Sequence, residues 1–82
     1  MPYELEIKQQ AMKTLRALPP ELRRQIGFRL EQLQRDFSGD VVKLRGSKNE
    51  YRLRVGDKRV LFLLVGNRIE VFAVGDRKDI YK

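Results

Sequence analysis

EYRLRVGDKRVLF, from Glu50 to Phe62, reads as a β-hairpin whose two arms alternate apolar and basic residues. Gly56-Asp57 between the arms is a pair of the two-residue turn type. With those residues at the turn, Val55 lies opposite Lys58, Arg54 opposite Arg59, Leu53 opposite Val60 and Arg52 opposite Leu61. Opposed residues share a face of the sheet, and faces alternate along each strand. The hairpin therefore sets arginine against arginine, and like charges directly across a strand pair are destabilising. Either solvent dilutes that cost or an anion belongs between the two side chains.

Outward from the hairpin, Gly66-Asn67 is a second two-residue turn, so three alternating strands follow one another at 51–55, 58–65 and 68–74. The second turn sets Leu64 opposite Ile69, Phe62 opposite Val71 and Val60 opposite Ala73. One face then collects Tyr51, Leu53, Val55, Val60, Phe62, Leu64, Ile69, Val71 and Ala73, and this is the predicted core face. The other collects Arg52, Arg54, Arg59, Arg68 and Glu70 among Leu61, Leu63, Phe72 and Val74. Basic side chains set among apolar and aromatic ones mark a cleft for a phosphate and a base, or a groove for a partner chain. A single arginine there would be read as snorkelling over apolar surface. Arg52, Arg54 and Arg59 together are read as an anion site.

Upstream, PYELEIK alternates Tyr3, Leu5 and Ile7 against Glu4, Glu6 and Lys8, a strand with one buried face. Residues 9–18 switch to the helical period with Met12, Leu15 and Leu18, and Pro19-Pro20 stops that helix and starts another. From Glu21 to Phe37 the apolar residues Leu22, Ile26, Leu30, Leu33 and Phe37 form one stripe of an amphipathic helix. Gly27 weakens it by about 1 kcal/mol relative to alanine. Ser38-Gly39-Asp40 closes the helical region, and VVKLRGSKNE is a short extended piece and a loop. The order β-α-α-β-β-β predicts a single α+β domain over 1–82, a helical hairpin packed on one face of a small, mainly antiparallel sheet.

The 82 residues contain no cysteine and no histidine. That removes disulfides, thiolate and imidazole metal ligands and Ser-His-Asp triads, so no metal and no cofactor is expected. Any chemistry rests on Tyr, Lys, Arg, Asp or Glu. The longest apolar run, VLFLLV at 60–65, is too short to span a bilayer, and the N-terminus has no apolar signal region. A cytoplasmic protein with no membrane partner is expected. Eighteen Lys and Arg against eleven Asp and Glu give a net charge of +7. Residues 1–40 carry seven basic and six acidic side chains, residues 41–82 eleven and five, so +6 of the +7 lies in the C-terminal half. A field localised in this way favours an anionic partner.

KLRG at 43–46, YRLRVGDKRVLF at 51–62 and VGDRKDIY at 74–81 resemble the RelE/ParE superfamily of bacterial and archaeal toxins, in its RelE-like branch. The β-α-α-β-β-β order matches as well, so the resemblance covers nearly the whole chain. It implies a toxin of a type II toxin–antitoxin system. RelE-like members are ribosome-dependent mRNA endonucleases that inhibit translation. Their reaction is attack by the RNA 2′-hydroxyl on the adjacent phosphate, leaving a 2′,3′-cyclic phosphate and a 5′-hydroxyl. The implied partners are a small RelB-like cognate antitoxin, the ribosome and mRNA, with DNA met only indirectly through the antitoxin complex. Carried over by position, Arg52, Arg54, Arg59, Arg77 and Tyr81 are the catalytic set around the scissile phosphate. Lys43, Arg45, Lys48 and Lys78 are the RNA- and ribosome-binding set.

The chain departs from the family pattern at three points. Arg52 and Arg54 stand where relatives have basic residues, often lysines that can act as general base, and arginine does not deprotonate in proteins, so neither serves as a general base. Lys58 stands where many relatives have an aromatic residue, and Asp76 where many have histidine. The general base is therefore unassigned between Tyr81 and rate supplied by positioning on the ribosome, and a weak or inactive enzyme is the third alternative. Two other functions share these features: a ParE-like, non-enzymatic inhibitor of gyrase, and a basic module that only binds nucleic acid or an acidic partner.

Overall fold

Apolar residues at every second position of the strand segments and at every third or fourth of the helical ones call for a sheet covered on one side. The computed structural model describes residues 2–80 and has this form. Its elements are β1 (Glu4–Ile7), α1 (Gln9–Ala17), α2 (Pro20–Asp36), β2 (Val41–Lys43), β3 (Glu50–Val55), β4 (Lys58–Val65) and β5 (Arg68–Asp76). The five strands make one sheet in the order β1-β5-β4-β3-β2. β1 runs parallel to β5, and the remaining pairs are antiparallel. The short extended piece after α2 pairs with β3 as an edge strand, with Val41 opposite Leu53 and Val42 opposite Arg52.

Both helices lie on the predicted core face. The stripe of α2 buries Ile26, Leu30 and Leu33, and α1 buries Ala11 and Leu15, against Leu53, Val60, Phe62, Ile69 and Val71. Each large apolar side chain so buried contributes roughly 1.5–3 kcal/mol relative to exposure. Gly27 has open space where a Cβ would stand, so close packing is not what keeps a glycine there. No helix among the described residues is long and apolar enough to cross a membrane.

α2 ends on Phe37, whose φ of 56° and ψ of 34° are left-handed, an uncommon conformation for a bulky residue. Its N–H donates to the Leu33 carbonyl at 2.8 Å. Its ring is pinned among Tyr3, Tyr51 and Phe62 at centroid distances of 5.3, 5.5 and 5.9 Å. This aromatic cluster joins β1, α2, β3 and β4 and holds the cap in place.

The first hairpin has the predicted register: Val55 faces Lys58, Arg54 faces Arg59, Leu53 faces Val60 and Arg52 faces Leu61. Gly56 has the positive φ, 60°, that a tight two-residue turn requires. The second hairpin follows the prediction only through Phe62 opposite Val71. The register then shifts, so that Leu61 meets Ala73 and Val60 meets Val74. Phe72 is the extra residue of a β-bulge. This corrects the face assignment beyond Phe72. Val74 belongs to the core, 7% exposed, and Ala73 shares the bare face with Leu61. Because Ala73 and Val74 are both apolar, alternation fits either register, and the structure puts the larger side chain in the core.

Candidate anion-binding site

The side of the sheet away from the helices carries Arg52 and Arg54 from β3 and Arg59 from β4, as the hairpin register requires. Each head of the opposed pair has partners of its own. Arg54 Nε lies 2.6 Å from Asp40 Oδ2, and the Arg54 N–H donates to the Asp40 carbonyl at 2.9 Å. Arg59 is only 7% exposed, and its Nη1 donates to the carbonyls of Gly56 and Lys58, each at 2.9 Å. Arg52 is different. Its Nε is buried and has no acceptor, the one such side-chain atom among the described residues. An unmet buried donor costs about 1–3 kcal/mol, and more when the group is charged. Of the three guanidiniums, Arg52 is the one with no hydrogen-bond or ion-pair partner among the described residues.

Beyond β5 the chain turns back onto the first hairpin. The Arg77 N–H donates to the Asp57 carbonyl at 3.0 Å, and the N–H groups of Asp79 and Ile80 donate to the Asp76 carbonyl at 3.0 and 2.9 Å. The turn encloses a cavity of about 200 Å³ lined by Asp57, Asp76, Arg77 and Lys78. Gly75 lets this turn lie close, because a Cβ there would stand 3.1 Å from Ile80 Cδ1. Gly75 is also the cross-strand partner of Arg59, so Ile80 rests on the arginine face. Lys58 points to the opposite face, as its register predicts, and its Nζ donates to Asp76 Oδ1 at 2.8 Å. That hydrogen bond and the charge of Lys58, with a smaller contribution from Lys78, hold the Asp76 carboxyl below its ordinary value of 3.8.

The fold thus gathers Arg52, Arg54 and Arg59 on one face, with the backbone of Arg77 and Lys78 beside their hairpin turn. It does not gather the rest of the basic set there. Lys43 ends the edge strand β2, and Arg45 and Lys48 sit in the loop that precedes β3. The six residues of β3 separate that loop from the Gly56 turn, about 17 Å at the usual rise per residue. Tyr81 lies outside the described residues. Sequence reasoning missed Asp40 as the counter-ion of Arg54, and no local signal points to it, since only the pairing of β2 with β3 brings the two together. Among the described residues no group of three or more His, Cys, Asp or Glu side chains is placed to hold a metal ion.

Fold and face together define a small α+β domain with a cationic, helix-free sheet surface suited to an anionic chain. No family model matches the sequence. The chain is 33% identical over 75 residues to Toxin RelE3 of Methanocaldococcus jannaschii, covering 85% of both chains. The toxin–antitoxin complex RelB–RelE from Methanococcus jannaschii superposes with a TM-score of 0.80 at 29% identity, over 94% of this chain and 95% of that one. The archaeal RelE–RelB complex from Pyrococcus horikoshii gives a TM-score of 0.71 at 31% identity, over 96% and 99% of the two chains. The chain belongs to the RelE-like branch of the RelE/ParE toxin superfamily.

Proposed function

We propose that the chain is the toxin of a type II toxin–antitoxin system and cleaves mRNA on the ribosome. The observation that carries this reading is the arginine face in a RelE-like fold: three guanidiniums across two strands with a single carboxylate, Asp40, among their ion-pair partners. Attack by the 2′-oxygen on the neighbouring phosphorus forms the cyclic phosphate and breaks the bond to the 5′-oxygen. Charge builds on a five-coordinate phosphate during that step. Guanidinium donors fixed beforehand around it supply electrostatic stabilisation, commonly the largest catalytic contribution. The role of the 2′-hydroxyl as nucleophile explains a choice of RNA over DNA.

Neither Arg52 nor Arg54 accepts the proton, and Lys58 is engaged with Asp76 on the other side of the sheet. Positioning of the substrate therefore carries much of the rate, with Tyr81 as the remaining candidate base. The cognate antitoxin is a small RelB-like protein. The comparison complexes from Methanococcus jannaschii and Pyrococcus horikoshii support this partner. Its acidic side chains silence the toxin by occupying the guanidiniums.

The test is mRNA cleavage in a reconstituted translation system, with wild type, Arg52→Ala and Arg59→Ala, and bare RNA as control. Cleavage only with ribosomes, lost in both variants, is the expected result. Growth arrest with intact mRNA would overturn it and direct attention to gyrase.

A further inference from the structure

At the tip of the first hairpin, on the helix side, α2 leaves a groove of about 430 Å³ lined by Gln25, Phe28, Arg29, Val55 and Gly56. Phe28 is 56% exposed, more than any other large apolar residue among those described. The stripe that buries Ile26, Leu30 and Leu33 does not account for a bare aromatic ring beside it. Three and four positions away along the helix stand Arg24, Gln25, Glu31 and Gln32, all polar. The apolar patch is therefore one ring wide. An amphipathic helix docks through a row of anchors spaced over several turns, and no such row exists here. A single exposed ring matches one flat partner.

The charges beside it point the same way. Arg24 and Arg29 have no ion pair among the described residues, as holds for most of the basic side chains, so both are free to meet an anion. An aromatic face with unpaired guanidiniums at its side is the arrangement that binds single-stranded nucleic acid, through stacking and phosphate contact. Gly56 belongs to both regions, because it lines the groove and its carbonyl accepts the hydrogen bond from Arg59. Gly56 thus joins the groove to the arginine face at the hairpin tip.

We propose that this groove holds one unpaired nucleobase of the RNA strand that lies on the arginine face. The base stacks on Phe28, Arg29 meets its phosphate, and the Gln25 amide, with both a donor and an acceptor, reads its edge. The proposal deepens the nuclease reading and rests on it for the identity of the strand. Stacking tolerates any base, so the ring supplies affinity and Gln25 supplies preference.

The chain contains no tryptophan, so Phe28→Trp places a single indole in the groove. A single-stranded RNA heptamer titrated into this variant at low salt, without ribosomes, is expected to quench the indole emission. A heptamer lacking bases is expected to leave it unchanged. By fluorescence anisotropy of labelled heptamer, Phe28→Ala in the otherwise native chain weakens binding about tenfold. Arg29→Ala weakens it and lowers the salt slope by about one. An unquenched indole together with wild-type affinity in Phe28→Ala overturns the groove, while ribosome-dependent cleavage by the native chain would leave the nuclease reading intact. Quenching in a protein that never cleaves mRNA supports the groove and removes the nuclease. Quenching by an acidic helical peptide and not by RNA overturns the proposal in favour of a protein partner.

Discussion

Like charges face each other at both ends of the bare sheet face, and the two ends treat them differently. At the β1–β5 end Glu6 stands opposite Glu70. Lys8 lies 2.9 Å from Glu6 and 3.7 Å from Glu70, and Arg68 lies 2.8 Å from Glu70 and 3.8 Å from Glu6. Two carboxylates and two cations close a neutral ring. The hydrogen bond from Lys8 holds the Glu6 carboxyl below its ordinary value, and the same bond raises Lys8. At the β3–β4 end Arg54 stands opposite Arg59 with Arg52 beside them, and of the three guanidiniums only Arg54 has a carboxylate partner, Asp40. One end has been neutralised from within the chain, and at the other Arg52 and Arg59 have no ion-pair partner among the described residues. The first arrangement is what stability requires, and the second is what an anionic substrate requires.

The largest effect is expected where the chain leaves a guanidinium unpartnered. Arg52→Ala should lower mRNA cleavage by about 10²–10³-fold, the usual cost of removing one preorganised donor, and leave the thermal midpoint nearly unchanged. Arg59→Ala should lose cleavage comparably and also lose stability, because the Gly56 and Lys58 carbonyls are deprived of their donor. Cleavage rates and thermal melts on the same preparations separate the two. Wild-type cleavage by Arg52→Ala would erase the distinction between the ends.

The opposite end should behave in reverse. Glu70→Ala removes one of the two carboxylates that Lys8 and Arg68 share, so the melting midpoint should fall by a few degrees. Cleavage per folded molecule should stay within about twofold, since this ring lies at the far end of the sheet from Arg52 and Arg59. Loss of cleavage with an unchanged midpoint would mean that this ring also touches substrate.

Acid should test both regions through their carboxylates. Asp76 and Glu6 are held below their ordinary values by Lys58 and Lys8 respectively. Each therefore contributes stability that is present above its unfolded pKa, about 4, and is lost as pH falls through its folded pKa. Melts of wild type between pH 7 and pH 2 should show midpoints falling below about pH 4. Asp76→Asn and Glu6→Gln should each flatten that limb, and equal curves for wild type and both variants would refute the assignment.

The smallest effect serves as the control. Gly27→Ala adds a methyl group to open space within α2 and should raise stability by about 1 kcal/mol. Cleavage should not change, which would show that added stability alone does not move the activity.

Much of this molecule is legible in its sequence because two constraints act locally. Gly56-Asp57 fixes the hairpin register, and strand alternation then fixes which face Arg52, Arg54 and Arg59 share. The stripe Ile26, Leu30, Leu33 likewise assigns α2 to the core by its period alone. The bulge at Phe72 escapes such reading, because adjacent apolar residues satisfy both registers. Lys43 pairs with Tyr51 beside Arg52 but on the other face of the sheet, and Arg45 and Lys48 lie in the loop at the end of β3 away from the Gly56 turn.

The sequence by itself determined the α+β class, the family motifs, the absence of imidazole and thiol chemistry and the opposed arginines. Only the tertiary structure decided which of those arginines remain available. Asp40 reaches Arg54 through an edge strand, the carbonyls of the hairpin turn take Arg59, and Gly75 admits Ile80 onto the same face. Those partners lie on different strands and turns or are backbone atoms. Their competition for a guanidinium is settled by distance and burial in the folded chain, quantities that no local spacing encodes.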